Sequence, residues 1–183
     1  MGDPLDGTWN FVKRLPLFGC KLAVAELGQT TFGILYDLLT GDLTSAYFGR
    51  GAEFVEADGR KTLVRTGKPV ALYCVAGFLP LFLFANAEYR KLAWKLHVFD
   101  RVLSYRYPSR ECRLLAEAGV DFFPAGRLKL WDHAAGEFVY RAAENYSEML
   151  AEGLEYSPTP SYGWSGLRKQ FEDIFSQPNR IGI

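Results

Sequence analysis

VALYCVAGFLPLFLFANA, Val70–Ala87, is eighteen residues without a formal charge in a 183-residue chain of which 23% is charged. As a single helix it would rise about 27 Å, close to the hydrocarbon thickness of a bilayer. Gly77 and Pro80 stand near its centre, and the proline would remove a backbone donor and drive Leu79 out of helical geometry. The run therefore reads as two buried strands, PVALYCVA and LFLFA, meeting at GFLP and covered on both faces. That makes it the floor of a soluble core and not a membrane span.

Upstream, EFVEADGRKTLVRTG gives two short strands around Asp58-Gly59, a dipeptide suited to a turn with positive φ. Before it, TTFGILYDLLTGDLTSAYFG fits a helix from Thr30 or Thr31 to Gly41 with Phe32, Leu35 and Leu39 on one stripe, while LTGDL could instead turn a hairpin. The helix is the preferred reading. Downstream, AEYRKLAWKLHVFDRVL matches helix and strand templates equally, so residues 89–103 stay open. PSRECRLLAEAG predicts a helix over Arg110–Ala118 with Ser109 as N-cap and Gly119 as terminator. RLKLW, DHAAG and EFVYR then read as strand, turn and strand, running into a helix over AAENYSEMLAEG that Gly153 closes.

After Leu154, EYSPTPSYGWSG is rich in Pro, Ser and Gly and suits neither a helix nor a core strand. LRKQFEDIFSQP follows, with Leu167, Phe171, Ile174 and Phe175 on one helical stripe and Pro178 as the stop. The expected architecture is a single α+β domain with a mostly antiparallel sheet, a few packing helices and a C-terminal amphipathic helix. Residues 1–155 form its core, and residues 156–183 form an arm and helix packed on that core or on a partner.

The totals narrow the function. Basic and acidic residues balance at 21 each, so no net field attracts nucleic acid or an anionic membrane. The three cysteines, Cys20, Cys74 and Cys112, are far apart and form no metal-ligand spacing, which predicts reduced core thiols in a cytoplasmic setting. MGDPLDGTWNFVKRLPLFG has acids where a secretory signal would be basic, and Asp6 stands where an acylation motif needs Ser or Thr. His97 and His133 are the sole histidines, the first beside apolar residues and the second in a turn, and neither is placed beside a cysteine. No phosphate-binding glycine loop is present, and the many carboxylates read as solvated charge. No catalytic residue, cofactor or metal is expected. Basic residues interleaved with Tyr89, Trp94, Tyr105 and Tyr107 are the pattern of a single-strand binder, for which a wet sheet face is the commoner reading.

Two resemblances bear on function. GRLKLWDHAAGEFVYRAAENYSEMLAEGL, Gly126–Leu154, resembles the C-terminal part of SUKH-superfamily domains through Trp131, Asp132, His133, Gly136, Ala143, Asn145, Tyr146, Met149 and Leu150. This resemblance implies a non-enzymatic domain that binds another protein, a toxin as an immunity protein does or a host factor as a viral antagonist does. Tyr156, Tyr162, Trp164, Phe171, Ile174 and Phe175 would then pack back on the domain or insert into the partner's groove. GTW, Gly7–Trp9, resembles the short N-terminal signature of lipocalins, which implies the alternative of a β-barrel holding or transforming a small apolar molecule.

Overall fold

In the computed structural model, residues 1–65, 74–80, 99–123, 125–144, 147–149 and 161–165 are described. Six strands follow one another as an antiparallel meander: β1 (Gly2–Asp6), β2 (Gly19–Glu26), β3 (Gln29–Asp37), β4 (Leu43–Tyr47), β5 (Gly51–Val55) and β6 (Lys61–Val64). A short helix, α1 (Thr8–Val12), lies between β1 and β2. The strands β7 (Ala76–Phe78) and β8 (Arg101–Leu103) pair in parallel, and α2 (Pro108–Ala116) follows. Next come β9 (Ala125–Leu128), α3 (Leu130–Ala142), β10 (Ser147–Met149) and β11 (Ser161–Ser165), whose strands make a three-stranded antiparallel sheet in the order β10, β11, β9. The fold is α+β with a mostly antiparallel sheet, as the sequence predicts.

Period-two alternation sets the inner face of the large sheet. Gly19, Lys21 and Ala23 of β2 point inward and are buried, while Leu22 and Val24 are exposed. On β3 the buried set is Thr30, Gly33, Leu35 and Asp37. The helix preferred over Thr30–Gly41 is therefore corrected to the β3–β4 hairpin. Its turn is fixed by Asp37, whose Oδ1 accepts from the backbone N–H groups of Leu39 and Thr40 at 3.0 and 3.1 Å, and by Gly41 at φ 74°. Pairing with both β2 and β4 satisfies the backbone of β3, which an isolated stripe of three apolar residues could not outweigh. The Asp58-Gly59 hairpin forms as expected between β5 and β6, with Gly59 at φ 88°.

The second correction is larger. WDHAAGEFVYRA is helix α3, not two strands about a turn. Ala135, Val139 and Ala143 are buried at helical spacing, with Ala134 beside them, and they form the core with Leu35, Ala46, Ala52, Leu115 and Ala116. Small residues let α3 lie close: a Cβ on Gly33 would stand 3.1 Å from the Ala135 carbonyl, and one on Gly136 would stand 2.5 Å from Cys112 Sγ of α2. The Phe138–Val139–Tyr140 alternation that suggested a strand is the incidental consequence of a helix with apolar residues on more than one side. Of the helix expected next, residues 147–149 are strand β10 instead.

In the apolar run Val70–Ala87, residues 74–80 are described. Val75, Phe78 and Leu79 are buried, but Ala76–Phe78 is itself a short strand where a turn was expected, and Cys74 is exposed, not a core thiol. Phe78 packs edge-on against Tyr105 and Phe123. Among the described residues no helix is long and apolar enough to cross a membrane. The remainder of the two expected strands, the undecided segment up to residue 98 with His97, and the expected helix over 167–178 lie outside the described residues. In the Pro/Ser/Gly-rich arm, Ser161–Ser165 is the middle strand of the small sheet, a role its composition hid because the pairing comes from distant β9 and β10.

Candidate functional site

The inner edge of the large sheet carries a buried ion cluster. Asp3 on β1 stands opposite Lys21 on β2, so both side chains lie near one another on the inward face. The Lys21 side chain is 1% exposed, and its ammonium lies 3.1 Å from Asp6 Oδ1 and 4.0 Å from Asp3 Oδ2. Gly7 ends β1 at φ 81° and turns the chain into α1; a Cβ there would meet the Leu17 carbonyl at 2.6 Å. The buried Asn10 ties this turn down by donating through Nδ2 to the carbonyls of Leu17 and Tyr105 at 2.9 and 2.8 Å.

Two helix N-termini meet the cluster. Ser109, in the first turn of α2, donates its backbone N–H at 2.6 Å and its hydroxyl to Asp6 Oδ2, so the positive end of the helix stabilises that carboxylate. Ser109 is thus not the helix cap: Tyr107 is the N-cap, Pro108 starts the helix, and the left-handed residue beyond its end is Ala118 at φ 59°, not Gly119. Asp132 sits in the first turn of α3, where its Oδ2 accepts from the Lys129 backbone N–H at 3.2 Å. Burial pushes the Asp132 carboxyl above its usual range, Lys21 pulls it back, and the charges of Asp6 and Asp3 push it up again. Asp3, Asp6, Lys21 and Asp132 therefore share one field although they come from opposite ends of the described chain. His133 lies beside them on the helix, buried, with Nδ1 2.8 Å from the Lys129 carbonyl, and not in a turn.

Beneath the cluster is Glu111 of α2, 1% exposed, whose Oε1 accepts from the backbone N–H groups of Tyr105 and Arg106 at 2.7 and 3.1 Å. Burial pushes its carboxyl up to about 7 against those donors, and Asp6 adds to the rise. In the unfolded chain the carboxyl returns to 4.5. Between these values the folded protein holds a proton that the unfolded chain has lost, so Glu111 contributes its stability below about pH 4.5 and that contribution disappears as pH rises through about 7, a decline of about 3 kcal/mol. Glu111→Gln is expected to flatten this slope in urea unfolding measured from acid to neutral pH. An unchanged slope in the variant would assign the decline to another group.

The sequence reading treats carboxylates as solvated charge, gives Ser109 as a helix cap and Asp132 and His133 to the SUKH resemblance, and assigns Lys21 no role. The signals available were the acids of DPLD on either side of a proline, and a lysine at an inward position of the alternating run GCKLAVA. Of the expected partner-binding residues, Tyr162 and Trp164 fall on strand β11, and Tyr156, Phe171, Ile174 and Phe175 lie outside the described residues.

The inositol monophosphatase family model matches residues 3–145, from Asp3 of this cluster to just past the end of α3. The chain belongs to the inositol monophosphatase family. Two curated relatives named Nus factor SuhB support the assignment: that of Vibrio cholerae is 32% identical over 160 residues, covering 84% of this chain and 57% of the relative, and that of Escherichia coli K12 is 32% identical over 162 residues, covering 86% and 58%. The chain thus spans somewhat more than half the length of the relatives it matches. Mycobacterium tuberculosis SuhB has the same fold with a TM-score of 0.77 at 20% identity, over 96% of this chain and 70% of that one. SaIMPase-II with inositol monophosphate bound has a TM-score of 0.79 at 20% identity, over 96% and 67%.

Membership in the inositol monophosphatase family overturns the SUKH resemblance and the readings drawn from it, an immunity-like or viral antagonist protein without enzymatic character. Trp131, Asp132, His133 and Gly136, which carried that resemblance, open a helix and not a turn between strands. The lipocalin alternative falls too. Trp9 belongs to α1, is 44% exposed and lies under the Arg106 guanidinium at 4.6 Å, and among the described residues the six-stranded sheet is open, with β1 and β6 as its edges.

Phosphate chemistry at a carboxylate set ordinarily uses a divalent cation held by those oxygens. Here the fit is poor. Among the described residues no three His, Cys, Asp or Glu side chains converge into a group that could hold a metal ion, and the space between Asp3 and Asp6 is taken by Lys21.

Proposed function

We propose that the chain belongs to a phosphomonoester hydrolase whose substrate is a small phosphorylated polyol of the inositol monophosphate kind. The observation that carries this reading is the family match from Asp3 through α3, which takes in Lys21, Ser109 and Asp132; the inositol monophosphate bound to a protein of the same fold supports the substrate class. In the reaction a water oxygen attacks phosphorus, the ester P–O bond breaks, and the alcohol and inorganic phosphate leave. In this reading Asp3 and Asp132, the partly exposed members of the cluster, orient that water and accept its proton. Lys21 offsets their charge from below, and the N-termini of α2 and α3 lower the cost of gathering anions at the rim. The three unpaired thiols suit a reducing, cytoplasmic compartment.

The test is release of inorganic phosphate from an inositol monophosphate, with 2'-AMP as the competing substrate class. Release from the polyol phosphate is expected, falling at least about 100-fold in Asp3→Asn as an acid-base group is lost. Release no greater than that of the variant would overturn the reading.

A further inference from the structure

We propose that Lys21 is the permanent counter-cation of the Asp3–Asp6–Asp132 cluster, occupying by its ammonium the place between the carboxylates that a divalent ion would need. Lys21 excludes the ion by its bulk and by its charge, whatever the substrate is.

A divalent ion shared by Asp3 and Asp6 has to sit about 2.0–2.6 Å from an oxygen of each. The Lys21 ammonium is already 3.1 Å from Asp6 Oδ1 and 4.0 Å from Asp3 Oδ2, so an ion there would be in contact with a fixed positive charge that cannot swing into solvent, its side chain being 1% exposed. The carboxylates are engaged elsewhere as well. Asp6 Oδ2 takes two donors from Ser109, Asp3 Oδ1 takes the Leu5 backbone N–H at 3.1 Å, and Asp132 Oδ2 takes that of Lys129. The lysine is central to the cluster and not a bystander: its charge acts on Asp132, Glu111 and Cys112 together. Lys21 Nζ is buried, and its 3.1 Å approach to Asp6 Oδ1 is a charge contact lying off the hydrogen-bond line.

The test is Mn²⁺ binding followed by the paramagnetic signal of the free ion, on the full 183-residue chain and on Lys21→Met. The wild-type chain is expected to bind more weakly than about 1 mM, the weak end for oxygen-ligand sites, and its thermal midpoint to be the same in Mg²⁺ and in EDTA. Removing the ammonium leaves the carboxylates without a counter-cation, so Lys21→Met is expected to bind Mn²⁺ at least about tenfold more tightly, with Asp6→Asn in that background abolishing the gain. Binding by the wild type tighter than 1 mM that Asp6→Asn removes would overturn the proposal, as would a folded Lys21→Met with no gain. Should Lys21→Met not fold, the wild-type titration and the Mg²⁺/EDTA comparison still decide it. Phosphate release is measured separately, so a chain that binds no Mn²⁺ and hydrolyses nothing refutes the proposed function and leaves this inference standing.

Discussion

Asp6→Ala is expected to lower the unfolding free energy by about 3–5 kcal/mol, the cost of stranding one member of a buried ion pair. The substitution removes the nearest anion from Lys21, at 3.1 Å, and at the same time the acceptor for the Ser109 backbone N–H and hydroxyl. None of these groups can turn to water: Lys21 and Ser109 are both buried, and Ser109 is fixed in the first turn of α2. For a chain of this length the loss corresponds to a fall in thermal midpoint of roughly 6–20 °C, readable by calorimetry or circular dichroism. Asp6→Asn keeps an acceptor for Ser109 but loses the charge, and its loss should be the smaller of the two. Replacing the lysine as well, in Asp6→Ala/Lys21→Met, should recover part of the stability, because the uncompensated ion goes with it. A loss below about 1 kcal/mol in Asp6→Ala would mean that the pair is no more than an exposed surface bridge in effect.

The second large effect is expected at the far end of α2. Arg113 has a side chain 1% exposed, with Nη1 2.6 Å from Asp42 Oδ1, Nε 3.8 Å from Glu117 Oε1, and its guanidinium 5.3 Å from the centre of the Phe54 ring. Burial works against ionisation of Asp42, and the hydrogen bond and charge of Arg113 more than offset it, leaving the carboxyl below its ordinary range. Its stabilising contribution is therefore present at neutral pH and lost as pH falls through that depressed value. Asp42→Ala leaves the guanidinium buried beside the more distant Glu117 and should cost about 3 kcal/mol at neutral pH, with the difference from wild type shrinking in acid. Arg113→Met in the same background should restore much of it, since the stem of Arg113 fills space between α2 and the sheet that a thioether can fill. A cost independent of pH would show that lost packing and not the charge pair is what Asp42 provides.

Both effects concern charges that no pattern in the chain marks as buried. Among the described residues Asp6, Lys21, Asp37, Glu111 and Arg113 are buried charges, and three of them have partners distant in sequence: Asp6 with Ser109, Arg113 with Asp42, and Lys21 with Asp3 and Asp6 on the neighbouring strand and, through its field, with Asp132. Composition predicts that charged residues face water, and the exception becomes visible only when partners are in place. The site was illegible for the same reason.

What the sequence determined by itself is local. Asp58-Gly59 specifies its turn because Gly59 takes φ 88° without steric cost and Asp58 Oδ1 accepts the Arg60 backbone N–H, with no help from elsewhere, and a helix in PSRECRLLAEAG is legible from Ser109, Glu111 and Gly119, although it starts two residues earlier than Arg110, at Pro108. The α+β class and the predominance of antiparallel strands follow from many such short segments. Tertiary structure decided the rest. Gln29–Asp37 is strand because β2 and β4 offer hydrogen bonds on both sides, Trp131–Ala142 is helix because Ala134, Ala135 and Gly136 allow it to lie against Gly33 and Cys112, and Ser161–Ser165 is strand because β9 and β10 flank it. In each case several local conformations are close in free energy, and the choice is made by burial and pairing with residues far along the chain.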